Sequence, residues 1–406
     1  MFAVSLLGVR PLDGRASAQS VPMFFGATRF PALTVDQKDK LFLMMSVATA
    51  PAELHTPHSQ IFFTQSLDSG SHWDNLPETR NLSNSPGEAF GPSVATNKNG
   101  VTRVYVVYHD NSNGTTQAYL IRSKKKAKFR KPQNITPHEF GAISPRIAVD
   151  SNENLNVVWG DLSTGSRTVV LERSTDLGET FGELIDVSRS SGLAFEPEIA
   201  MGPNDSINVV WEDTAPGVSA IMFAKSTDGG ATFSEPLRVS TGAGDATQSH
   251  IAIDEQGRIS VVWVDESPGN PQAFYARSTD GGLSFSDPIS LTDGRRFSIS
   301  KPFAAVSGNN VYVAYQDEAE GDKQVFLARS GDSGRTFAAP VQVSNANNQC
   351  GRAHSPSMVI DSTGRLHIVW IDASRVSPCS DEGLLFYSNT TDARKFSPEL
   401  MILAAI

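Results

Sequence analysis

The sequence predicts an all-β protein, a seven-bladed β-propeller built from four-stranded antiparallel blades. Three observations lead there. An eight-residue motif of the form S-x-D-x-G-x-x-F recurs, and its closing residues Phe181, Phe233, Phe285 and Phe337 are each 52 residues apart. Every period holds four short β-rich apolar runs separated by turn residues, the pattern of one propeller blade. No segment sustains a helical period, and 32 Gly and 23 Pro are too many for a helical chain.

The elements of the period can be justified in order. A Pro-led apolar segment opens each unit, with Pro31, Pro92, Pro145, Pro197, Ser249, Pro302 and Pro356 as the seven starts. After a turn comes a second strand such as Leu155–Asp161 or Ile259–Asp265. A third strand, as in Ile221-Met222-Phe223-Ala224-Lys225, runs into the S-x-D turn, and a fourth follows, as in Pro236-Leu237-Arg238-Val239-Ser240. Well-formed turns stand at Ser66–Trp73, Ser174–Phe181, Ser226–Phe233, Ser278–Phe285 and Ser330–Phe337, with eroded copies at Ser123–Phe129 and Ser388–Phe396. In such a turn the Asp carboxylate satisfies exposed amides, Gly supplies a positive φ and the aromatic packs the hairpin down.

These turns resemble the Asp-box, or bacterial neuraminidase repeat, of the sialidase superfamily. The resemblance covers the chain after residue 20 and implies propeller blades with Asp-box hairpins on the face opposite the ligand site. Sialidases of that superfamily typically have six blades, so seven starts set this chain apart. Fold alone does not carry an activity across.

Composition excludes several classes. Lys plus Arg is 34 against 44 for Asp plus Glu, a net charge of −10, which disfavours bulk nucleic-acid binding. Two cysteines exclude a disulfide scaffold and a multi-cysteine metal centre, and no cofactor is called for. No apolar run approaches the ~20 residues of a membrane-spanning helix. Phe2–Val9 followed by Ala16-Ser17-Ala18 reads as the remnant of an export signal, with a disordered tail as the alternative. Residues 21–406 then form a single domain, and a secreted or periplasmic location is expected.

In this topology the starts of the innermost strands and the ends of the second strands share one face around the axial channel. The second strands end in an aromatic two residues before an Asp: Tyr108 and Asp110, Trp159 and Asp161, Trp211 and Asp213, Trp263 and Asp265, Tyr315 and Asp317, Trp370 and Asp372. Repetition in every blade favours a capping role for these carboxylates over an acidic binding ring. A binding site should instead break the symmetry. Arg29, Arg146, Glu198, His250, Lys301 and His354 do so at the innermost-strand starts, and Arg295, Arg296 and Arg352 precede the last two blades. Arg29, Arg146, Glu198, His250, Lys301, Arg352 and His354 are therefore the expected ligand-binding set. Arg29-Phe30-Pro31 also resembles the R-I-P segment of sialidases, whose Arg grips a substrate carboxylate.

A sialidase would further need a Tyr nucleophile, a supporting Glu and an Asp acid/base. The seven tyrosines mostly sit inside regular strands, and Tyr387, the best remaining candidate, occupies a core position held by Phe in other blades. The strict 52-residue spacing of the middle blades leaves no enlarged loop for a pocket. The expected function is thus an exported, non-catalytic propeller that binds a glycan, another polar ligand or a protein partner through its channel face. The alternatives are a sialidase-type exo-glycoside hydrolase and a subunit or assembly factor of an extracellular complex. The last blade is enlarged around Cys350 and Cys379, and a Cys350–Cys379 disulfide there would contribute roughly 3–4 kcal/mol. Finally, Arg122, Lys124, Lys125, Lys126, Lys128, Arg130 and Lys131 replace the turn of the second blade. They form either a solvated edge or a docking patch for an acidic partner.

Overall fold

Each repeat folds into one sheet of four antiparallel strands, and the computed structural model contains seven such sheets arranged as a β-propeller. The structure describes residues 28–403, except for 50–57, 75–79, 98–99, 125–127, 137–140, 164, 166, 293–298, 320–321, 346–352 and 374–382. Among the described residues the one helical turn is Pro203–Asp205, and no helix is long and apolar enough to cross a membrane.

Blade five shows the pattern. Its strands are Ala246–Ile253 innermost, then Ile259–Asp265, Gln272–Ser278 and the short outer Ile289–Ser290. The second strand is buried at every position, as are its counterparts Val104–Asp110, Leu155–Asp161, Ile207–Asp213 and Leu366–Asp372. Both faces of a blade pack on neighbours, so these strands read as continuous apolar runs rather than alternating ones. Along Ile207–Asp213, Val209 and Trp211 face blade three while Val210 faces blade five. Trp159, Trp211, Trp263 and Trp370 are fully buried, each contributing about 4–6 kcal/mol of transfer free energy.

The aromatic-x-Asp carboxylates cap backbone. Asp213 accepts from Trp211 Nε1 at 3.0 Å, from the Ala215 amide at 2.8 Å and from the Ser190 hydroxyl at 2.7 Å. Asp265 accepts in the same way from Trp263 Nε1 and the Ser267 amide, and Asp110 from the Ser112 amide.

The S-x-D turns close with one chemistry. In five blades the Ser hydroxyl accepts the amide of the glycine four residues on at 2.8 Å, from Ser66 with Gly70 to Ser330 with Gly334. The Asp accepts the amide of its own i+4 residue, as from Asp176 with Thr180 to Asp332 with Thr336. Hydrogen bonds from Thr180 and Thr232 hold the Asp176 and Asp228 carboxyls down at about 2. Gly334 has φ +76°, and a Cβ there would lie 2.0 Å from the Tyr275 hydroxyl of the preceding blade.

In five blades the cation just before the turn clasps the next blade. Arg122 donates to the Leu177 carbonyl, Arg173 to Gly229, Lys225 to Gly281, Arg277 to Ser333 and Arg329 to Asp392, all at 2.9–3.0 Å. Five successive blade interfaces are stapled in this way at the turn end of the ring. The seam between blades seven and one is different. Among the described residues each blade keeps its own four strands, so no strand is shared across the seam. Leu33, Leu41, Met45 and Trp73 of blade one pack on Val369, Ile371, Leu385 and Tyr387 of blade seven. Asp39 accepts from the Ser362 amide and hydroxyl, both at 2.8 Å, and the Leu33 amide donates to the Ser357 hydroxyl at 3.2 Å.

Candidate functional site

The innermost strands share a backbone irregularity that shapes the channel. The residue before each opening Pro (Ser249 in blade five) has positive φ: Phe30, Gly91, Ser144, Glu196, Gln248, Lys301 and Ser355, at +49° to +64°. In every blade the pairing of innermost and second strand shifts register at this point. Six of these residues are not glycine, so each bulge stores strain that the paired strands around it must hold. The bulge lets consecutive residues, such as Gln248, Ser249 and His250, reach the channel together.

All seven blades contribute to one axial cavity of about 400 Å³. Its apolar wall comes from Phe30, Ala32, Leu33, Val94, Ile147 and Phe303. Its charged groups are Arg146, Glu196, Glu198, Glu212 and Lys301, with His250 beside them. Arg146 Nε donates to Glu198 Oε1 at 2.6 Å, and the Ser144 hydroxyl to Glu196 Oε1 at 2.8 Å. Burial works against the Arg146 charge, but Glu198 and Glu196 outweigh it and hold the guanidinium above its ordinary value. Glu212 accepts the Gln248 amide at 2.6 Å, and burial pushes its carboxyl up to about 7. Burial likewise lowers His250, whose Nδ1 accepts the Ala304 amide at 3.2 Å. Lys301 Nζ donates to the Ser355 hydroxyl at 2.8 Å and lies 4.8 Å from the Phe30 ring centroid.

These bonds run from blade to blade. Together with the Gly91 amide on Ser46, the Ile147 amide on Ser93 and the Leu33 amide on Ser357, they bridge each of the seven interfaces around the channel. A second cavity of about 290 Å³ opens beside Lys301, lined also by Phe30, Gln316, Lys323 and His354. The acids therefore concentrate on blade four and the lysines on blade six.

The expected residues fall out as follows. Arg146, Glu198, His250 and Lys301 line the axial cavity, and His354 lines its neighbour. Arg29 lies on the innermost strand of blade one, paired with Ser46, but its side chain is outside the described residues. Arg295, Arg296, Arg352, Cys350 and Cys379 also lie outside them. Tyr387 is fully buried at the turn end of its blade, where its hydroxyl meets His367 Nδ1 at 2.7 Å and the Ser69 carbonyl at 3.4 Å. That is the end away from the channel cavity, which removes it as a nucleophile there.

Glu212, Glu196 and Gln248 escaped the sequence reading. The signal for Glu212 was present in the residue between the aromatic and the Asp, which runs His109, Gly160, Glu212, Val264, Gln316 and Ile371 through blades two to seven, with Ser46 at the matching register of blade one. This varying position accepts the amide of the next blade's positive-φ residue at Ser46, His109 and Glu212.

Fold and site together define a seven-bladed propeller with a charged, aromatic-edged axial cavity. No family model matches the chain, and no curated protein matches it. Solved structures do. An ulvan lyase of a polysaccharide lyase family is 12% identical, with 91% of this chain and 95% of the lyase covered at a TM-score of 0.58. The intramolecular trans-sialidase of Ruminococcus gnavus is 14% identical, with 93% and 99% covered and a TM-score of 0.53. A protein of unknown function from Dyadobacter fermentans is 16% identical, with 76% and 96% covered and a TM-score of 0.55. At these identities the likeness is one of fold, a sialidase-like propeller.

Proposed function

We propose that the protein is an exported, non-catalytic propeller of the Asp-box type that binds a glycan through its channel face. The observation that carries this reading is the axial cavity, in which polar groups of both signs meet an apolar, aromatic wall. Sugars match such a surface, with hydroxyls for the charged groups and C–H faces for Phe30 and Phe303. Arg146, Glu198, His250, Lys301 and His354, together with Arg29 and Arg352, form the proposed ligand set.

Two features favour binding over turnover. All seven tyrosines lie within strands, none lines the axial cavity, and six are buried. The Arg146 guanidinium is neutralised by Glu198 rather than presented as an open carboxylate grip. Export rests on the Ala16-Ser17-Ala18 step, and a Cys350–Cys379 disulfide in the enlarged blade, which we also propose, would be consistent with it. Fold relatives that process polysaccharides and sialosides make a glycan the natural ligand class.

Calorimetric titration with neutral, amino, uronic and sialylated oligosaccharides should find a ligand whose affinity falls in Arg146→Ala. Release of fluorophore from a panel of fluorogenic glycosides, abolished by the same substitution, would overturn the non-catalytic reading. Recovery of the native protein only within a stable hetero-complex would replace the glycan by a protein partner.

A further inference from the structure

The turn of blade two departs from every other turn of the ring. Residues 122–131 contain seven Lys or Arg and no Asp or Glu, in a chain of net charge −10. The hairpin is nevertheless firmly built. Arg130 N donates to the Arg122 carbonyl at 2.9 Å and Lys124 N to the Lys128 carbonyl at 2.8 Å. Phe129 packs edge-on against Phe63 at 4.9 Å, with Arg80 over its ring. Backbone pairing sets Lys124 across from Lys128, an arrangement of like charges that weakens a hairpin unless something anionic sits against it.

Beside this hairpin, between blades two and three, lies a cleft of about 380 Å³ lined by Arg103, Arg122, Lys124, Lys128, Arg130 and Glu179, among others. Arg103 is held by Glu153, and both Arg122 and Arg130 share the single carboxylate of Glu179. Five cations thus face two carboxylates. The ammonium groups of Lys124 and Lys128, both exposed, make no ion pair among the described residues.

We infer that this cleft and hairpin edge bind an anionic polysaccharide, a chain bearing repeated sulfate or carboxylate groups. The guanidinium groups are already engaged, so no open fork awaits a single oxyanion. What remains among the described residues is a facing pair of point charges, Lys124 and Lys128, at the mouth of the cleft, and such a pair suits neighbouring charges carried on one chain. Other polyanions fit less well. Tyr105, the one aromatic lining the cleft among the described residues, is buried with its hydroxyl on Glu153 at 2.9 Å, leaving no platform there on which nucleic-acid bases could stack. Phe129 faces inward on Phe63, so the described residues of the hairpin offer no aromatic wedge to a membrane. The site lies at the turn end of the ring, away from the channel cavity, and does not depend on the function proposed for that cavity.

The test titrates the full chain with dextran sulfate, polygalacturonate, neutral dextran, duplex DNA, polyglutamate and phosphatidylserine vesicles at low and near-physiological salt. Dextran sulfate or polygalacturonate should bind, neutral dextran should not, and added salt should weaken the binding. Which of the two binds tighter assigns the sulfate or carboxylate source. The double variant Lys124→Glu, Lys128→Glu should lose at least about tenfold in affinity, with its thermal unfolding unchanged. Arg146→Ala should leave this binding intact, which separates it from the channel site. Equal or tighter binding of DNA, polyglutamate or vesicles overturns the inference. So does wild-type affinity in the double variant, or no binding to either polysaccharide.

Discussion

Replacing Glu212 by Gln should stabilise the protein, and only above mildly acidic pH. Glu212 is 4% exposed, accepts the Gln248 amide and faces Glu196, Arg146 and His250 across the channel wall. Burial raises its carboxyl from the ordinary 4.5 to about 7, and the Glu196 charge adds to the effect. Below about pH 4.5 both folded and unfolded chains hold the proton, and the residue makes no difference to stability. Between there and about pH 7 the folded chain keeps a proton that the unfolded chain has lost, so stability falls as pH rises. Each tenfold in proton affinity is worth about 1.4 kcal/mol, so the full penalty above pH 7 is about 3 kcal/mol. Gln keeps the oxygen that accepts from Gln248 and removes the charge. Urea unfolding at about pH 4, 6 and 8 should therefore show variant and wild type converging at the acid end and separating by about 3 kcal/mol at the alkaline end. Parallel curves across the range, or a variant weaker at pH 8, would refute the assignment of a strained, buried carboxylate.

Three further outcomes follow from the same structure. Arg173→Met keeps the aliphatic stem but loses the bonds to the Gly229 carbonyl and to Asp150 at 2.8 Å, and should cost about 2–3 kcal/mol in urea unfolding. Gly334→Ala forces a side chain onto the Tyr275 hydroxyl at positive φ and should cost about 2–4 kcal/mol, read as a lowered unfolding midpoint. The native, unreduced protein should show no reactive thiol until reductant is added, if Cys350 and Cys379 pair as proposed; two free thiols would end that proposal.

The fold was legible because its signals repeat. A turn that needs Ser, Asp, Gly and an aromatic at set offsets leaves the same mark wherever it occurs, and the 52-residue spacing that runs from Phe129 to Phe337 turns weak marks into a strong one. The candidate site was legible in part for the opposite reason. Arg146, Glu198, His250 and Lys301 stood out because several other blades carry small or apolar residues there, such as Ala32, Ser93, Phe303 and Ser357, and the axial cavity collects all four. Glu212 did not stand out, because it sits inside a strand that reads as core, between a buried Trp and a capping Asp. What turns it toward the channel is the neighbouring blade's bulged strand, and a positive φ at Gln248 leaves no mark in side-chain type. The staples were equally hidden, since Arg173 or Lys225 before a turn looks like an ordinary solvated cation until the next blade's carbonyl is seen beside it.

The seam between blades seven and one has a consequence for how chains meet each other. The ring shuts when surfaces some 324 residues apart along the chain find each other, as Leu33 finds Ser357. Until then Leu33 and Met45 at one end, and Val369 and Ile371 at the other, are complementary and uncovered. Two chains folding side by side hold the same pair of surfaces, and the first blade of one is as good a match for the last blade of the other as its own. Dilution during refolding should thus favour closed monomers, whereas crowding should trap linked arcs that share their ends between chains.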